Sequence, residues 1–87
     1  MITAFVSGML ERNNYYEKLE KEISKTGYNI SYNFEDCDVI VMLPFWNDYV
    51  QSKDEWKKAK ISNIPIFYWP LDKDKMKWFS KSQKNNE

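Results

Sequence analysis

The segment DVIVML, residues 38–43, sets five apolar residues in a row behind an aspartate. The run is short for a helix and lacks the alternation of a half-exposed strand. It reads as a strand covered on both faces. A strand of that kind needs a layer above and a layer below it, which points to a sheet between helices. Three other segments have strand character. ITAFV (2–6) is β-rich and ends at Ser7-Gly8, YNISYN (28–33) alternates apolar and polar, and IPIFYW (64–69) closes at Pro70. Two segments have helical periodicity. In NNYYEKLEKEISKTG (13–27), Tyr16, Leu19 and Ile23 share a face, Asn13 or Asn14 is placed to cap the start, and Gly27 suits the end. In the second, Tyr49, Ser52, Trp56 and Ala59 form one stripe, and Asn63 is placed as a C-terminal cap. The alternation predicts an α/β fold: a minimal three-layer sandwich around a mainly parallel sheet of three or four strands. Residues 1–72 form this single domain, and 73–87 add a short helix, with Met76, Trp78 and Phe79, and a polar tail.

One spacing is at odds with a simple parallel sheet. Only FEDC, residues 34–37, separates the second and third strand-like segments. A parallel crossover takes about a dozen residues, usually a helix, and four residues reach only about 14 Å. Either 28–33 is a stunted edge strand with an extended return, which is the favoured expectation, or the two segments form a hairpin.

Composition narrows the chemistry. With 87 residues the core is small, and aromatic residues at 17% supply much of its area. Dimerisation is expected as a way to gain burial. Thirteen basic and thirteen acidic residues cancel, which argues against general nucleic-acid binding. There is no histidine and one cysteine, Cys37. That excludes serine–histidine and cysteine–histidine catalysis and the usual zinc sets, so no metal or cofactor is expected. Cys37 reads as an inert small residue near the sheet edge. No apolar run is long enough to cross a bilayer and the N-terminus lacks a basic leader, so a soluble, cytoplasmic protein is expected.

Several short motifs occur in a telling order: Ser7-Gly8 after a strand, Asn14-Tyr15 at a helix start, Gly27-Tyr28 into the second strand, Asp38 leading VIVMLPFW, then Glu55, Ala59 and Ile64-Pro65. In order and spacing this resembles the nucleoside 2-deoxyribosyltransferase-like family, closest to a small, mostly uncharacterised branch common in bacteriophage genomes. The resemblance covers most of residues 1–69. It implies that Glu55 stands where the family's enzymes carry a nucleophile that attacks the anomeric carbon of a nucleoside. A carboxylate suits that step because it stabilises and traps an oxocarbenium-like centre. It also implies ligand contacts at Ser7 and Gly8; Trp46, Asp48 and Tyr49 are candidate ligand contacts from their own chemistry and position. The sequence departs from the pattern at Tyr49, where the family has Asp or Ser, and at Gln51, where it has Gly. Both replacements add bulk where substrate would lie.

Each candidate also has a structural reading. SKDE (52–55) has the form of a capping box, with Ser52 as cap and Glu55 three residues on. If the helix begins one turn earlier, Asp48 lies near Glu55's face and can share acid–base work with it; the preferred reading is that Asp48 or Asn47 is another cap. Ser7-Gly8 is a turn or a ligand cradle. Trp46 and Tyr49 stack a base or form core or a protein interface. With these features, the resemblance implies a non-catalytic phage-type protein that binds a nucleotide-like small molecule or, as an inhibitor of host defence, a host protein. The alternative is an active N-glycosidase or deoxyribosyltransferase using Glu55.

Overall fold

The computed structural model describes residues 2–8 and 14–85. Asn13, one of the two expected caps, and the last two residues of the polar tail lie outside them. The elements run β1 (Ile2–Ser7), α1 (Asn14–Lys25), β2 (Tyr28–Ser31), β3 (Val39–Met42), α2 (Val50–Ile61), β4 (Ile66–Tyr68) and α3 (Lys73–Asn85), with single 3-10 turns at Phe34–Asp36 and Trp46–Asp48. The four strands are all parallel, in the order β2-β1-β3-β4.

This order places the helices. The chain moves one way from β1 to β2 and the other way from β3 to β4. Crossovers of one hand then put α1 and α2 on opposite faces of the sheet. On one face Ala4, Val6, Val39 and Val41 pack against Tyr16, Leu19 and Ile23 of α1 and Met76 of α3. On the other, Ile40 and Met42 pack against Ala59, with Phe5, Phe34, Trp46, Trp56 and Tyr68 around them. All four residues of β3 are buried, as its unbroken apolar run requires.

The short return between β2 and β3 is solved by stagger. β2 lies beside Ile2–Phe5 of β1, whereas β3 lies beside Ala4–Ser7. The last residue of β2, Ser31, is level with Phe5, and the first of β3, Val39, is level with Ala4. The chain therefore drops by only one residue, about 3.3 Å, while it crosses over β1. Residues 32–38 make that crossing without an α-helix. Phe34 lies edge-on to Phe5 at 5.7 Å, and Asp38 closes the far end, its carboxylate accepting from the Thr3 amide at 2.9 Å. The expected stunted edge strand is present, two residues shorter than 28–33, and the hairpin is not formed.

Two left-handed residues end the helices cleanly. Gly27 has φ +102°, and a Cβ there would meet the Ser80 hydroxyl of α3. Asn63, at φ 58°, follows α2 as its expected cap, and the Ile64 amide donates back to the Ala59 carbonyl at 2.9 Å. At the outer edge, the Asp72 side chain accepts from the Tyr68 amide at 2.8 Å, and the Asp72 amide donates to the Tyr68 carbonyl. This occupies polar groups that a bare edge strand would offer to another chain.

α3 extends well beyond its short apolar stretch and belongs to the core. Met76 is fully buried, and the buried Tyr28 hydroxyl donates to the Met76 carbonyl at 2.8 Å. Trp69 is buried and Phe79 packs on Phe67 at 5.6 Å, but Trp78 faces out. Met76→Ala is expected to destabilise the fold by about 2–5 kcal/mol and Trp78→Ala by no more than about 0.5 kcal/mol, as read by urea denaturation. Burial pushes the Tyr28 phenol up to about 12 from 10.0. The folded state thus favours the protonated form, so the contribution is complete below pH 10 and lost as pH rises towards 12. In Tyr28→Phe the alkaline fall in stability between those values should be shallower.

Candidate functional site

β1 outruns β2. Ser31 stops level with Phe5, so Val6 and Ser7 have no β2 neighbour. The space left beside them, between α1 and α2, is a cavity of about 130 Å³. Its lining is Phe5, Val6 and Ser7 from β1, Tyr16 from α1, Ser31 and Tyr32 from the end of β2, and Gln51, Ser52 and Glu55 from α2. It opens at the carboxyl ends of the strands, near where the strand order reverses. Open α/β sheets commonly bind ligands there.

Strand alternation aims Ser7 into this space. Ala4 and Val6 turn to the α1 side, so Phe5 and Ser7 turn to the α2 side. The Ser7 hydroxyl donates to Glu55 Oε1 at 2.7 Å, and the Ser7 carbonyl accepts from the Leu43 amide at 2.7 Å. The hydroxyl is therefore carried by a strand pinned on its β3 side, and it fixes the carboxylate to the sheet.

The capping-box expectation does not hold. α2 begins at Val50, with Tyr49 at its cap position and no side-chain cap bond. Ser52 is the third helical residue and is buried. The cause is the preceding turn. Trp46–Asp48 feeds directly into the helix, with the Lys53 amide donating to the Tyr49 carbonyl at 3.1 Å. Trp46 stacks on Trp56 at 5.4 Å, and the Trp56 indole donates to the Tyr68 hydroxyl at 3.0 Å. This anchoring winds α2 three residues earlier than a Ser52 cap would, so Glu55 lies in the second turn and reaches Ser7. Small Ser52 and Ala59 on the sheet-facing stripe let the helix approach closely.

The six residues expected at a site are divided. Ser7 and Glu55 meet in the cavity. Gly8 is buried at φ +128°, and a Cβ there would stand 2.9 Å from Leu43 Cβ, so it lets β1 pass close to the end of β3. Trp46, Asp48 and Tyr49 do not line the cavity. Trp46 belongs to the aromatic cluster with Trp56 and Tyr68, and Asp48 is exposed on its turn. Among the described residues, Glu55 has no carboxylate partner in the cavity, and no lysine or arginine lines it.

Sequence reasoning did not place Tyr16, Ser31 or Tyr32 at the site, whereas Gln51, expected to add bulk where substrate would lie, does line the cavity. Two signals pointed there. Gln51 is four residues before Glu55, hence on the same helix face. The end of β2 must lie near the end of β1 if the two are parallel neighbours. Cys37 lies close enough to be affected by the site's charge. Burial pushes its thiol up, and Asp38, Asp36 and Glu55 push the same way against a backbone hydrogen bond. The thiol donates to the Phe34 carbonyl at 2.9 Å. It stays protonated and is a poor nucleophile. Among the described residues no group of three or more metal-ligating side chains converges, and no helix is long and apolar enough to cross a membrane.

The chain matches no known family model, no curated protein and no solved structure.

The Ser7–Glu55 bond should appear in a double-mutant cycle. With Ser7→Ala and Glu55→Gln, a coupling of roughly 1.5 kcal/mol is expected, the low end for a bond to a charged group. Ser52→Ala tests the other geometry: its effect should be independent of Glu55→Gln, whereas a capping box would couple the two.

Proposed function

We propose that the protein binds the sugar of a nucleoside-type ligand in the Glu55 cavity and leaves it chemically unchanged. The observation that carries this reading is the 2.7 Å bond from Ser7 to Glu55 at the mouth of a small polar hollow. A carboxylate held in place is a strong acceptor for a pair of sugar hydroxyls, and Ser7, Ser31, Gln51 and Ser52 supply further polar partners at the same wall. Whole-ligand pockets usually measure about 300–1,000 Å³. At about 130 Å³ the cavity is sized for the sugar alone, which leaves the base at the rim beside Tyr32, an aromatic residue 63% exposed. Base stacking on such a ring is worth about 1–3 kcal/mol.

Charge selects within the class. Among the described residues one carboxylate and no cation line the hollow, so a phosphate there meets repulsion and no counter-charge from them. Nucleosides should therefore bind better than their 5′-phosphates. The resemblance to nucleoside 2-deoxyribosyltransferase-like proteins at Ser7-Gly8, Glu55 and Ala59 supports the same ligand class. Two features speak for binding without turnover. Glycoside chemistry is generally shared between two carboxyl groups, and Asp48 stands outside the cavity. Gln51, where the resemblance expects glycine, occupies part of the space itself. A cytoplasmic setting, where a lone thiol stays reduced, fits this reading.

Calorimetric titration with a panel of ribo- and deoxyribonucleosides tests it, alongside chromatography for released base. Binding at millimolar affinity or better is expected, weakened about 10- to 100-fold in Glu55→Ala, with no base release. Absence of binding to the whole panel at about 10 mM would sink the proposal. Base release abolished by Glu55→Ala would replace it with an N-glycosidase.

A further inference from the structure

A second surface at the same end of the sheet is apolar and lies apart from the Glu55 cavity. Pro44, Trp69 and Pro70 form a ridge between two open hollows of about 320 Å³ each. One runs towards α1 and includes Tyr15; the other includes Phe45 and Leu71. These three side chains stand out of the surface, 55%, 75% and 88% exposed. Phe45 is also held at φ 66°, ψ 21°, a left-handed conformation that is rare for a bulky residue and costs about 1 kcal/mol or more. The fold thus holds an aromatic ring outward, beside a hollow that the same residue helps to wall.

We propose that this surface joins two copies of the chain about a two-fold axis, each Phe45 entering the other copy's hollow. Three observations select a second copy as the occupant. A two-fold interface requires a patch that fits itself, and here knob and hole lie side by side. Among the described residues, the charged groups lining the two hollows are Lys18 and Glu22, one of each sign, so these groups do not make the patch repel its own copy. The chain as a whole is neutral, with 13 basic and 13 acidic residues, which leaves little long-range repulsion between copies. A standard interface of about 800 Å² per partner would take roughly one seventh of the 5943 Å² surface. That is a substantial gain for a core of this size. The inference does not depend on the nucleoside reading, because it is read by mass and not by ligand.

Sedimentation equilibrium of the full chain tests it. The wild-type chain is expected to be dimeric at micromolar concentration, with a Tm that rises with concentration. Phe45→Asn should weaken dimerisation about 30-fold or more, the effect of losing an interface anchor. Asparagine tolerates the left-handed backbone, so the variant's monomer should melt no lower than the wild-type monomer. This separates loss of the interface from loss of the fold. Leu71→Ser should weaken the dimer in the same direction, and Trp78→Ser, on the exposed face of α3, should not. A wild-type chain that stays monomeric up to about 1 mM overturns the proposal. So does a dimer that survives Phe45→Asn and Leu71→Ser, or one broken by Trp78→Ser. A monomer that instead captures a different protein through Phe45 also overturns it, in favour of a heterologous partner.

Discussion

The stagger of β2 and β3 along β1 is the constraint from which the other features follow. A full-length β2 would leave the chain several residues too high to enter β3 within a seven-residue crossing. Stopping β2 at Ser31 removes that climb and lets residues 32–38 pass over the sheet with Phe34 seated on Phe5. The same truncation leaves Val6 and Ser7 without a neighbour on one side. The cavity is therefore a by-product of the connection, and its floor and walls are the residues the short strand fails to cover.

The acid at the cavity owes its position to aromatic packing by the next residue along α2. Trp46 and Trp56 stack, Trp56 is tied to Tyr68, and Lys60 sits over the Trp56 ring at 4.1 Å. These contacts fix the phase and the starting point of the helix. Glu55 precedes Trp56, so locking the indole also sets the direction of the carboxylate. Ser7 completes the arrangement from the strand side. A helix started by its own side-chain cap would have tied Glu55 to its own backbone instead.

The carboxyl rim of the sheet thus carries two surfaces of different character. Beside β1 the described residues make it polar and narrow, with the Glu55 carboxylate in its wall. Beside β3 and β4 it is broad and apolar, with Phe45 and Leu71 exposed. The outer edge of β4 is guarded by Asp72, which disfavours strand addition there.

Much of the fold was legible in the order of residues. Val39–Leu43 demanded two covering layers, Tyr16, Leu19 and Ile23 marked the buried face of α1, and Asn63 marked the end of α2. The alternation of patterns gave a parallel sheet. These signals are local: periodicity and cap chemistry act over a few residues, so the linear order carries them. The register of β2 against β3, the true start of α2 and the meeting of Ser7 with Glu55 across 48 positions are not local. The sequence named both residues, but whether Glu55 served as a cap or faced the sheet depended on where α2 began. That was decided by ring packing among Trp46, Trp56 and Tyr68, which become neighbours only once β3 and β4 have paired. Only the tertiary structure could make that choice, because a helix start costs little to shift by one turn, and packing contacts made far along the chain are large enough to shift it.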